Sequence, residues 1–490
     1  MKRLVLILCL ITPMLSYNTS VATNQLTPLP KLTPTTSGDT QLYRNSTTPT
    51  ADTADENYPK NTNLIGVSFA EFVFTDLNGH LRSITTPATR IKDVLKNGLK
   101  IDGSSIAGGT AITDSDLHLT PEKNAILLPD NLRLERTALV VCEMGLDAQT
   151  PFSYDPRTVL KQVLQKLTAR QLQLNVGAEL EFYLIDNSTA EPWDQQGYLA
   201  SSTNLESERL KQEIVATLSN AGINVEKIHH EVGPGQFEVV LNYADAIKMA
   251  DQIVLTKYLI QSVVGHYDLT ADFNPKPFKH QNGSGLHLHY SLQDLQTQQP
   301  LFSDPHKPNQ LSHLALKFIA GNLAGLPDLS AFYNGTANSF ARLVPHFEAP
   351  VYICWGIKNR SALIRIPLVN PQQPHALRAE IRCPDAASNP YLALAALAAS
   401  GLYGIEHDSL EYPPAVTANL YQLPAHELAI LGVPQLPTSL AAALTQLEHS
   451  SLARQLFGDQ LVQEYVKIKR HELAKATTAN ADDVTADLTI

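Results

Sequence analysis

The sequence is poor in cysteine, with four among its 490 residues. Cys9 lies in an apolar stretch at the N-terminus and would be lost on processing, which leaves Cys142, Cys354 and Cys383 widely spaced. Three separated cysteines match neither a disulfide framework nor a zinc-binding pattern. We therefore expect ordinary buried thiols.

Charged residues are also scarce, and basic ones are the scarcer kind. Charged residues make up 17% of the chain, and 37 basic against 48 acidic residues give a formal net charge of −11. No run of basic residues interrupts this balance. Because an acidic surface repels phosphates, the composition excludes a general nucleic-acid binder. Hydrophobic residues reach 43%, enough over this length for two or more globular domains.

The apolar stretch at the N-terminus has the anatomy of a secretory signal. Lys2 and Arg3 precede LVLILCLITPML, which is too short for a good membrane span, and the small residues Ser20 and Ala22 follow. We expect a signal peptide over residues 1–22 and export to the periplasm or the exterior, with no stable membrane span in the mature chain. The alternatives are an uncleaved anchor and a cytoplasmic protein whose true start codon lies further downstream.

The rest of the chain divides by composition into four segments. Residues 23–60 are rich in Thr, Pro, Asn and Asp and have few apolar groups, which predicts a disordered linker. Residues 61–152 mix strand and helix patterns, and residues 153–473 alternate strands and helices. Residues 474–490 form a polar tail.

Local signals mark the elements of the two structured segments. VSFAEFVFTDLNGHLRSITTP alternates apolar and polar residues around an Asn-Gly turn, which predicts a β-hairpin. RIKDVLKNGL has helical spacing and a stop at Gly98. The segment DPRTVLKQVLQKLTARQL predicts an amphipathic helix with Asp155 as its cap and Pro156 at its first position.

Several carboxylates and imidazoles lie on segments with strand patterns. Alternation puts Glu179 and Glu181 on one face of a strand, and likewise His287 and His289. The other members are Glu231 and Glu238, which flank a Gly-Pro-Gly turn, and Glu380, which lies between two arginines. A single glutamate on a strand is usually solvated surface. A cluster of oxygen ligands with an imidazole, however, suits Mg²⁺ or Mn²⁺.

Arginines are concentrated within about 40 residues of the C-terminal half. They are Arg342, Arg360, Arg365, Arg378 and Arg382. Arg365 falls among apolar strand residues, where a guanidinium needs an anionic partner. Each arginine has two interpretations, a structural ion pair with a nearby carboxylate or a clamp for a phosphate or carboxylate ligand. Five together favour the clamp.

An ordered set of sequence blocks runs through the chain. The blocks are DGSSI at 102–106, ELE at 179–181, HHEVGPGQFE at 229–238, NPKPFKHQNGSGLHLH at 274–289, NSFARLVPHFEAP at 338–350, NRSALIRIP at 359–367 and RAEIRCPDAASNPYLALAA at 378–396. Through these blocks the chain resembles the type I glutamine synthetases. The resemblance spans roughly residues 64–425. Such a set is far more specific than one short motif.

The resemblance implies a fold and an activity. The fold is α+β, with a small N-terminal β-grasp domain at 61–152 and a larger catalytic domain at 153–473 built on a curved antiparallel sheet and helices. The activity is the ligation of ammonia to the γ-carboxylate of glutamate, with ATP as co-substrate and two Mg²⁺ or Mn²⁺ ions. The resemblance also implies a homo-oligomer, either a hexamer or a dodecamer, with active sites between subunits.

It further implies roles for individual residues. One ion would be held by Glu181, Glu231 and Glu238, and the other by Glu179, His287 and Glu380. The glutamate substrate would be bound by Arg342 at its α-carboxylate, by the loop at Asn282 and Gly283, and by Arg382 near its γ-carboxylate. The nucleotide and its phosphates would meet Tyr243, Ser291, Arg360 and Arg365. Glu348 would close the site as a flap, and Asp102 would bind ammonium and remove its proton.

Three alternatives for function stay open. Glutamate–polyamine ligases resemble this family but depart at the DGSS block, so the Asp102 block favours ammonia over a bulky amine. Two residues depart from the pattern of relatives. Gly109 replaces a bulky residue at the entrance near Asp102, and Gln281 replaces an acidic residue that is common before the NGSG segment. A γ-glutamyl ligase for another amine is the second alternative. The third is an exported, non-catalytic binding protein, since ATP is scarce outside the cytoplasm.

Overall fold

The computed structural model describes residues 64, 66–201, 204–307, 309–344, 349–370 and 372–478. The strands in this part of the chain are β1 Phe69–Thr75, β2 Leu81–Pro87, β3 Leu99–Asp102, β4 Asp116–Leu127, β5 Thr137–Gly145, β6 Leu172–Asp186, β7 Val225–His230, β8 Gln236–Asp245, β9 Leu269–Asp272, β10 Leu286–Asp294, β11 Tyr352–Ile357, β12 Ala362–Ile366 and β13 Ala379–Ile381. The helices are α1 Ala88–Asn97, α2 Pro156–Thr168, α3 Leu205–Asn220, α4 Ala246–Val264, α5 His313–Tyr333, α6 Ala337–Arg342, α7 Pro390–Glu406, α8 Ala425–Leu431, α9 Leu440–His449, α10 Ser451–Phe457 and α11 Asp459–Thr478.

The N-terminal part forms a five-stranded sheet in the order β2-β1-β5-β4-β3. Strands β1 and β5 are parallel, whereas β1 with β2 and β4 with both β3 and β5 are antiparallel. Helix α1 packs on this sheet through Ile91 and Val94, over a core that includes Phe72 and Val140. This is a β-grasp arrangement, as the sequence predicted.

The predicted hairpin joins β1 to β2 through residues 76–80. Gly79 takes φ +95°, a backbone conformation that glycine adopts without steric cost. The carboxylate of Asp76 accepts hydrogen bonds from the backbone N–H groups of Asn78 at 3.0 Å and His80 at 2.9 Å. The turn is therefore closed by a buried aspartate as well as by the glycine.

The larger sheet carries the site. Seven strands follow the order β11-β12-β13-β10-β6-β8-β7, and β9 pairs with the far end of β6. Strand β6 is the longest strand and pairs with β8, β9 and β10, all antiparallel. The edge pair β11 and β12 is parallel, so the antiparallel expectation holds for the sheet apart from this edge.

A layer of buried helices packs against this sheet. Helix α7 is buried along most of its length, and α5 crosses it closely. At the crossing, a Cβ on Gly321 would lie 2.0 Å from the Ser400 carbonyl oxygen and 2.6 Å from the Gly404 nitrogen. Only glycine allows the two backbones to approach this closely.

Several local predictions are confirmed. Helix α1 ends before Gly98, which takes φ +71°, and Asp155 caps α2 by accepting from the Thr158 N–H at 3.1 Å. Cys142, Cys354 and Cys383 are buried free thiols. Helix α11, by contrast, continues through Thr478, five residues beyond residue 473, where the sequence had placed the end of the catalytic domain.

Some expectations fall on residues that the structure does not describe. The signal peptide at 1–22, the linker at 23–60 and the predicted flap residue Glu348 all lie outside the described residues. Within the described part, none of the helices combines the length and apolar character that a membrane crossing requires.

Candidate active site

Strand register brings the predicted metal ligands together. Glu179 of β6 lies opposite His287 of β10, and Glu181 of β6 lies opposite Glu238 of β8. Residues directly opposed in adjacent strands share a face of the sheet. Glu179 and Glu181 also share that face because they are two residues apart. Four ligating groups from three strands therefore converge on one face.

Strand β13 adds the next carboxylate. Glu380 lies opposite His289 in β10 and opposite Arg365 in β12. Because His289 follows His287 by two residues, both imidazoles face the same side as Glu380. The sequence had put the two histidines on one face, and the structure adds the contact of His289 with the carboxylates.

Glu231 enters the cluster from a turn rather than from a strand. It follows β7 directly, and its N–H donates to the Gln236 carbonyl at 2.7 Å. The intervening Gly-Pro-Gly turn depends on both glycines. Gly235 takes φ +64°, and a Cβ on Gly233 would lie 2.1 Å from the Tyr183 hydroxyl. This tight turn sets Glu231 beside Glu238 at the start of β8.

The described residues contain three groups whose possible ligand atoms lie within 4.8 Å of one another. They are Glu179 with Glu238 and His287, Glu179 with His289 and Glu380, and His229 with Glu231 and Glu238. Five of the six predicted ligands are among these groups. The sixth, Glu181, has an oxygen 3.9 Å from His287 Nε2. Two members, His229 and His289, had no predicted role.

Hydrogen bonds orient the imidazoles of β10. His287 Nδ1 lies 3.0 Å from one Glu179 oxygen, and His289 Nε2 lies 2.8 Å from the other. Arg378 Nε donates to His289 Nδ1 at 3.1 Å, so the hydrogen of this ring is on the nitrogen that faces Glu179. Burial raises the pKa of Glu179, but the hydrogen bonds from the two histidines outweigh it and hold this pKa well below its ordinary value.

Glu181 has the opposite environment. Burial and the nearby Glu238 and Glu231 charges raise the pKa of Glu181 to about 8, although Arg342 and a 2.7 Å hydrogen bond from the Gly285 N–H oppose the shift. Carboxylates that raise each other's pKa are stabilised by a cation between them. Buried oxygen ligands with imidazoles also match the preference of Mg²⁺ or Mn²⁺. The residues present therefore fit a divalent-cation site.

His229 belongs to this end of the cluster, although the sequence had predicted no role for it. Its Nε2 lies 3.0 Å from a Glu238 oxygen, and this hydrogen bond raises the pKa of His229 above its ordinary value. The two residues are directly opposed across β7 and β8. The His-His-Glu run before the turn was the available signal, since alternation puts His229 and Glu231 on one side.

The arginines differ in whether they are paired with a carboxylate. Arg365 and Arg382 each form an ion pair with Glu380, on opposite oxygens. Burial raises the pKa of Glu380, but Arg382 and the two histidines lower it to about 2. The sequence had left open whether each arginine forms an ion pair or binds a ligand. For these two arginines the structure contains the ion pair. Arg360 is exposed in the turn between β11 and β12 and has no ion pair among the described residues.

Arg342 is a buried cation without a carboxylate contact among the described residues. It is 2% exposed, and its guanidinium donates to the backbone carbonyls of Cys383 at 2.9 Å and Arg382 at 3.2 Å. Burial lowers the pKa of Arg342, and the Glu181 and Asp385 charges oppose that shift. A guanidinium held by carbonyls keeps its full charge for an incoming anion.

A cavity of about 250 Å³, including its opening to solvent, lies beside the carboxylates. Its lining residues are Glu181, Glu231, Gln236, Asn282, Gly283, His287 and Arg342. The structure thus puts the predicted substrate residues Asn282, Gly283 and Arg342 next to three predicted metal ligands.

The loop at Asn282 and Gly283 is fixed by its backbone. Tyr183 donates to the Asn282 carbonyl at 2.7 Å, and Gln236 Nε2 donates to the Gly283 carbonyl at 3.1 Å. A Cβ on Gly283 would lie 2.6 Å from Arg342 Cγ, so glycine lets the loop pass over the arginine. Gln236 was missed from the sequence because a neutral amide before Glu238 carries no distinctive pattern.

The predicted nucleotide residues lie toward the other end of the same strands. Ser291 follows His287 by four residues in β10 and lies opposite Asn175. Tyr243, near the end of β8, is 74% exposed. Gly177 lies opposite His289, between Asn175 and Glu179, and leaves the sheet face without a side chain there.

Asp102 is not part of this cluster within its own chain. It ends β3 in the N-terminal sheet and is exposed. One oxygen accepts from the Ser104 hydroxyl at 2.7 Å and the Ser104 N–H at 2.9 Å, and these bonds lower the pKa of Asp102. Nearby, a Cβ on Gly109 would lie 1.8 Å from the Gly103 carbonyl oxygen, so glycine is needed for this loop.

Comparisons with known proteins agree with this geometry. The family model described as glutamine synthetase, catalytic domain, matches residues 153–486, and the glutamine synthetase β-grasp domain matches residues 66–145. The glutamine synthetase of Methanocaldococcus jannaschii is 37% identical over 431 residues, covering 85% of this chain and 94% of that protein. That of Thermus thermophilus is 36% identical over 416 residues, covering 83% and 92%. A solved structure titled "Apo GmaS without ligand" has a TM-score of 0.76 and 30% identity, covering 87% of this chain and 97% of that one.

The fold, the carboxylate site and these similarities define a ligase that forms a carbon–nitrogen bond. The chain belongs to the glutamine synthetase family.

Proposed function

We propose that this protein joins ammonia to the γ-carboxylate of glutamate, with hydrolysis of ATP to ADP and phosphate. The observation that carries this proposal is the clustering of the predicted cation ligands beside a cavity. Three of them, Glu181, Glu231 and His287, line that cavity together with Asn282, Gly283 and Arg342. The chemistry needs activation of a carboxylate, so glutamate attacks the γ-phosphate of ATP to give γ-glutamyl phosphate. Ammonia then displaces phosphate from that acyl group.

The acidic cluster is suited to hold two divalent cations. In our proposal Glu181, Glu231 and Glu238 hold one, while Glu179, His287 and Glu380 hold the other. When bound, Mg²⁺ or Mn²⁺ neutralises the negative charge that accumulates around a transferring phosphoryl group. The two histidines that donate to Glu179 keep it ionised and oriented.

Arg342 supports the assignment of a carboxylate substrate. Its buried guanidinium borders the cavity and donates hydrogen bonds to two backbone carbonyls. A buried cation in a cavity recognises an anion strongly because water competes little with it. We assign Arg342 to the α-carboxylate of glutamate. Arg382, paired with Glu380, is then the cation nearest the γ-carboxylate.

Two further arginines are available for phosphate. Arg360 is exposed, and Arg365 keeps its buried Nε without a hydrogen-bond acceptor among the described residues. A guanidinium with unused donors fits a phosphate oxygen. We propose that both contact the ATP phosphates and that Tyr243 and Ser291 contact the nucleoside. Glu348 is proposed to close the site over the substrates.

Ammonia is proposed to enter beside Asp102 of a neighbouring subunit. Asp102 is an exposed anion, which suits a residue that attracts ammonium and takes its proton. Since it lies outside the cluster of its own chain, the proposal requires a homo-oligomer in which one protomer completes the site of the next.

A second candidate is ligation of a different amine to glutamate. The observation that favours it is the likeness to structures named GmaS, one of them titled as an ADP complex with 29% identity and a TM-score of 0.76.

The two candidates are separated by product analysis. Assembled protein is incubated with glutamate, ATP and Mg²⁺ or Mn²⁺, and with ammonium, methylamine, ethanolamine or putrescine in turn. Glutamine formed from ammonium, with poor turnover of the other amines, supports the proposal. Equal or better turnover of a substituted amine moves the assignment to the second candidate.

A further inference from the structure

Five of the six predicted cation ligands are positioned by strands, and Glu231 is the exception. Glu179, Glu181, Glu238, His287 and Glu380 lie in β6, β8, β10 and β13. Glu231 lies in the turn after β7, where its N–H bonds across the hairpin to the Gln236 carbonyl. Its own carbonyl needs a different partner.

Residues 193–199, which we call the strap, lie across this turn. Asp194 is the anchor of the strap. Its Oδ1 lies 2.8 Å from His230 Nε2 and accepts from the N–H groups of Gly235 at 2.9 Å and Gln196 at 3.1 Å. One carboxylate oxygen therefore joins the strap to both ends of the turn that carries Glu231.

His230 transmits this contact to Glu231. It is 3% exposed, and its Nδ1 lies 2.7 Å from the carbonyl oxygen of Glu231. The ring also packs on Phe237, with centroids 4.8 Å apart. With the Glu231 N–H bonded to Gln236, both backbone groups of Glu231 have defined partners. The side chain is then directed by this backbone and by a hydrogen bond that its carboxylate accepts from the Val232 N–H at 3.0 Å.

Two further contacts join the strap to the end of β7. The N–H of Leu199 donates to the His230 carbonyl at 3.0 Å, and Tyr198 packs edge-on against His229 with centroids 5.8 Å apart. Leu199 takes φ +56°, a left-handed conformation that costs a leucine about 1–2 kcal/mol. A strained residue of this kind persists where surrounding contacts hold it.

We propose that Asp194 and His230 are positioning residues for Glu231, so that cation affinity depends on the strap. This inference rests on the proposed function, because it takes Glu231 as a cation ligand. Residues behind metal ligands commonly matter for affinity by 10- to 100-fold. Neither Asp194 nor His230 is assigned to contact substrate or cation.

The test is Mn²⁺ binding to the metal-free full-length protein, measured by calorimetry and by electron paramagnetic resonance of free Mn²⁺. Asp194→Ala removes three hydrogen bonds and should weaken Mn²⁺ binding at one of two sites about 10- to 100-fold. Asp194→Asn keeps an oxygen at the Oδ1 position, which accepts all three, and should stay within a few-fold of wild type. Activity of Asp194→Ala should recover at saturating Mn²⁺, with a raised Mn²⁺ requirement and a nearly unchanged kcat.

Asp186→Ala is the matched control. Asp186 accepts from Ser188 and Thr189 at the other end of the same loop and has no bond to the Glu231 turn. Its loss should leave Mn²⁺ binding unchanged. If Asp194→Ala unfolds at a lower temperature without metal, His230→Asn is titrated instead, since it loses the Asp194 contact while keeping a donor near the Glu231 carbonyl.

The outcomes separate this inference from the function that it rests on. Wild-type protein that binds no Mn²⁺ would contradict the proposed function. Wild-type protein that binds Mn²⁺, together with Asp194→Ala or His230→Asn binding it equally well, would overturn the role of the strap alone.

Discussion

Replacing Glu181 with glutamine should have opposite effects on stability and on metal binding. Without metal, Glu181 is buried beside Glu238 and Glu231, and its pKa is raised to about 8 from an ordinary 4.5. Glutamine has nearly the same shape and can accept the Gly285 N–H that Glu181 accepts at 2.7 Å. The substitution therefore removes a disfavoured charge and keeps the hydrogen bond.

The size of the stability gain follows from the pKa. A buried acid with a raised pKa destabilises the folded protein above the pKa of the unfolded chain, because only the unfolded chain releases the proton freely. The cost is absent below about pH 4.5, grows with pH and is complete above about pH 8. At pH 7 it is at most roughly 3.5 kcal/mol, at about 1.4 kcal/mol per pH unit. With about 2.1 cal/mol/K of unfolding entropy per residue over about 400 residues, the midpoint should rise by roughly 4 °C.

The assay is thermal unfolding of metal-free protein between pH 5 and 8.5, repeated with Mn²⁺. Glu181→Gln should unfold at a higher temperature than wild type at pH 8, by a margin that shrinks toward pH 5, and should lose most of the stabilisation by Mn²⁺. Glu226→Gln, at an exposed position of β7, is the matched control and should change neither quantity. A metal-free Glu181→Gln that is less stable than wild type, or one that Mn²⁺ stabilises fully, would refute this reasoning.

Three further predictions concern other parts of the chain. Asp102→Asn should raise the ammonium KM and lower the rate of glutamine formation with little change in ATP binding. The reason is that asparagine still accepts the hydrogen bond from the Ser104 N–H but lacks the charge. Wild-type rates at limiting ammonium would exclude a catalytic role for Asp102. Lys317→Met should lower the unfolding midpoint, because Lys317 Nζ donates to the carbonyls of His407 at 3.2 Å, Asp408 at 2.5 Å and Leu410 at 2.8 Å, and leaving them unsatisfied costs about 2–4 kcal/mol. The control Lys467→Met, at an exposed position, should change the midpoint little. Equal midpoints for the two variants would contradict a stabilising role of these three hydrogen bonds. Mass spectrometry of the native protein should find a chain that begins after Ala22, and an intact Met1 peptide from the cytosolic fraction would contradict export.

Much of the site was predictable because strand alternation carries information about faces. The two-residue spacing of Glu179 with Glu181, and of His287 with His289, predicted that each pair shares a face, and the strand register then set the pairs against each other. The local signals at Gly98 and Asp155 were equally direct. In each case a single residue type satisfies a specific backbone requirement.

Other features depend on tertiary contacts that leave no periodic pattern. Asp194 lies in a loop without regular structure, and its contact with His230 joins residues 36 positions apart. The choice between an ion pair and a ligand clamp for Arg365 also could not be made from the sequence, since it depends on which strand neighbours β12. The parallel pairing of β11 with β12 likewise has no counterpart in the pattern of the sequence.

The most direct measurement is the product formed from glutamate and ATP by the assembled protein. With ammonium and Mg²⁺ or Mn²⁺, the proposed function predicts glutamine, ADP and phosphate in equal amounts, and no product after chelation of the metal. It also predicts that methylamine, ethanolamine and putrescine are poor substitutes for ammonium. No glutamine with ammonium under these conditions, or full activity in metal-free buffer, would contradict the proposed function.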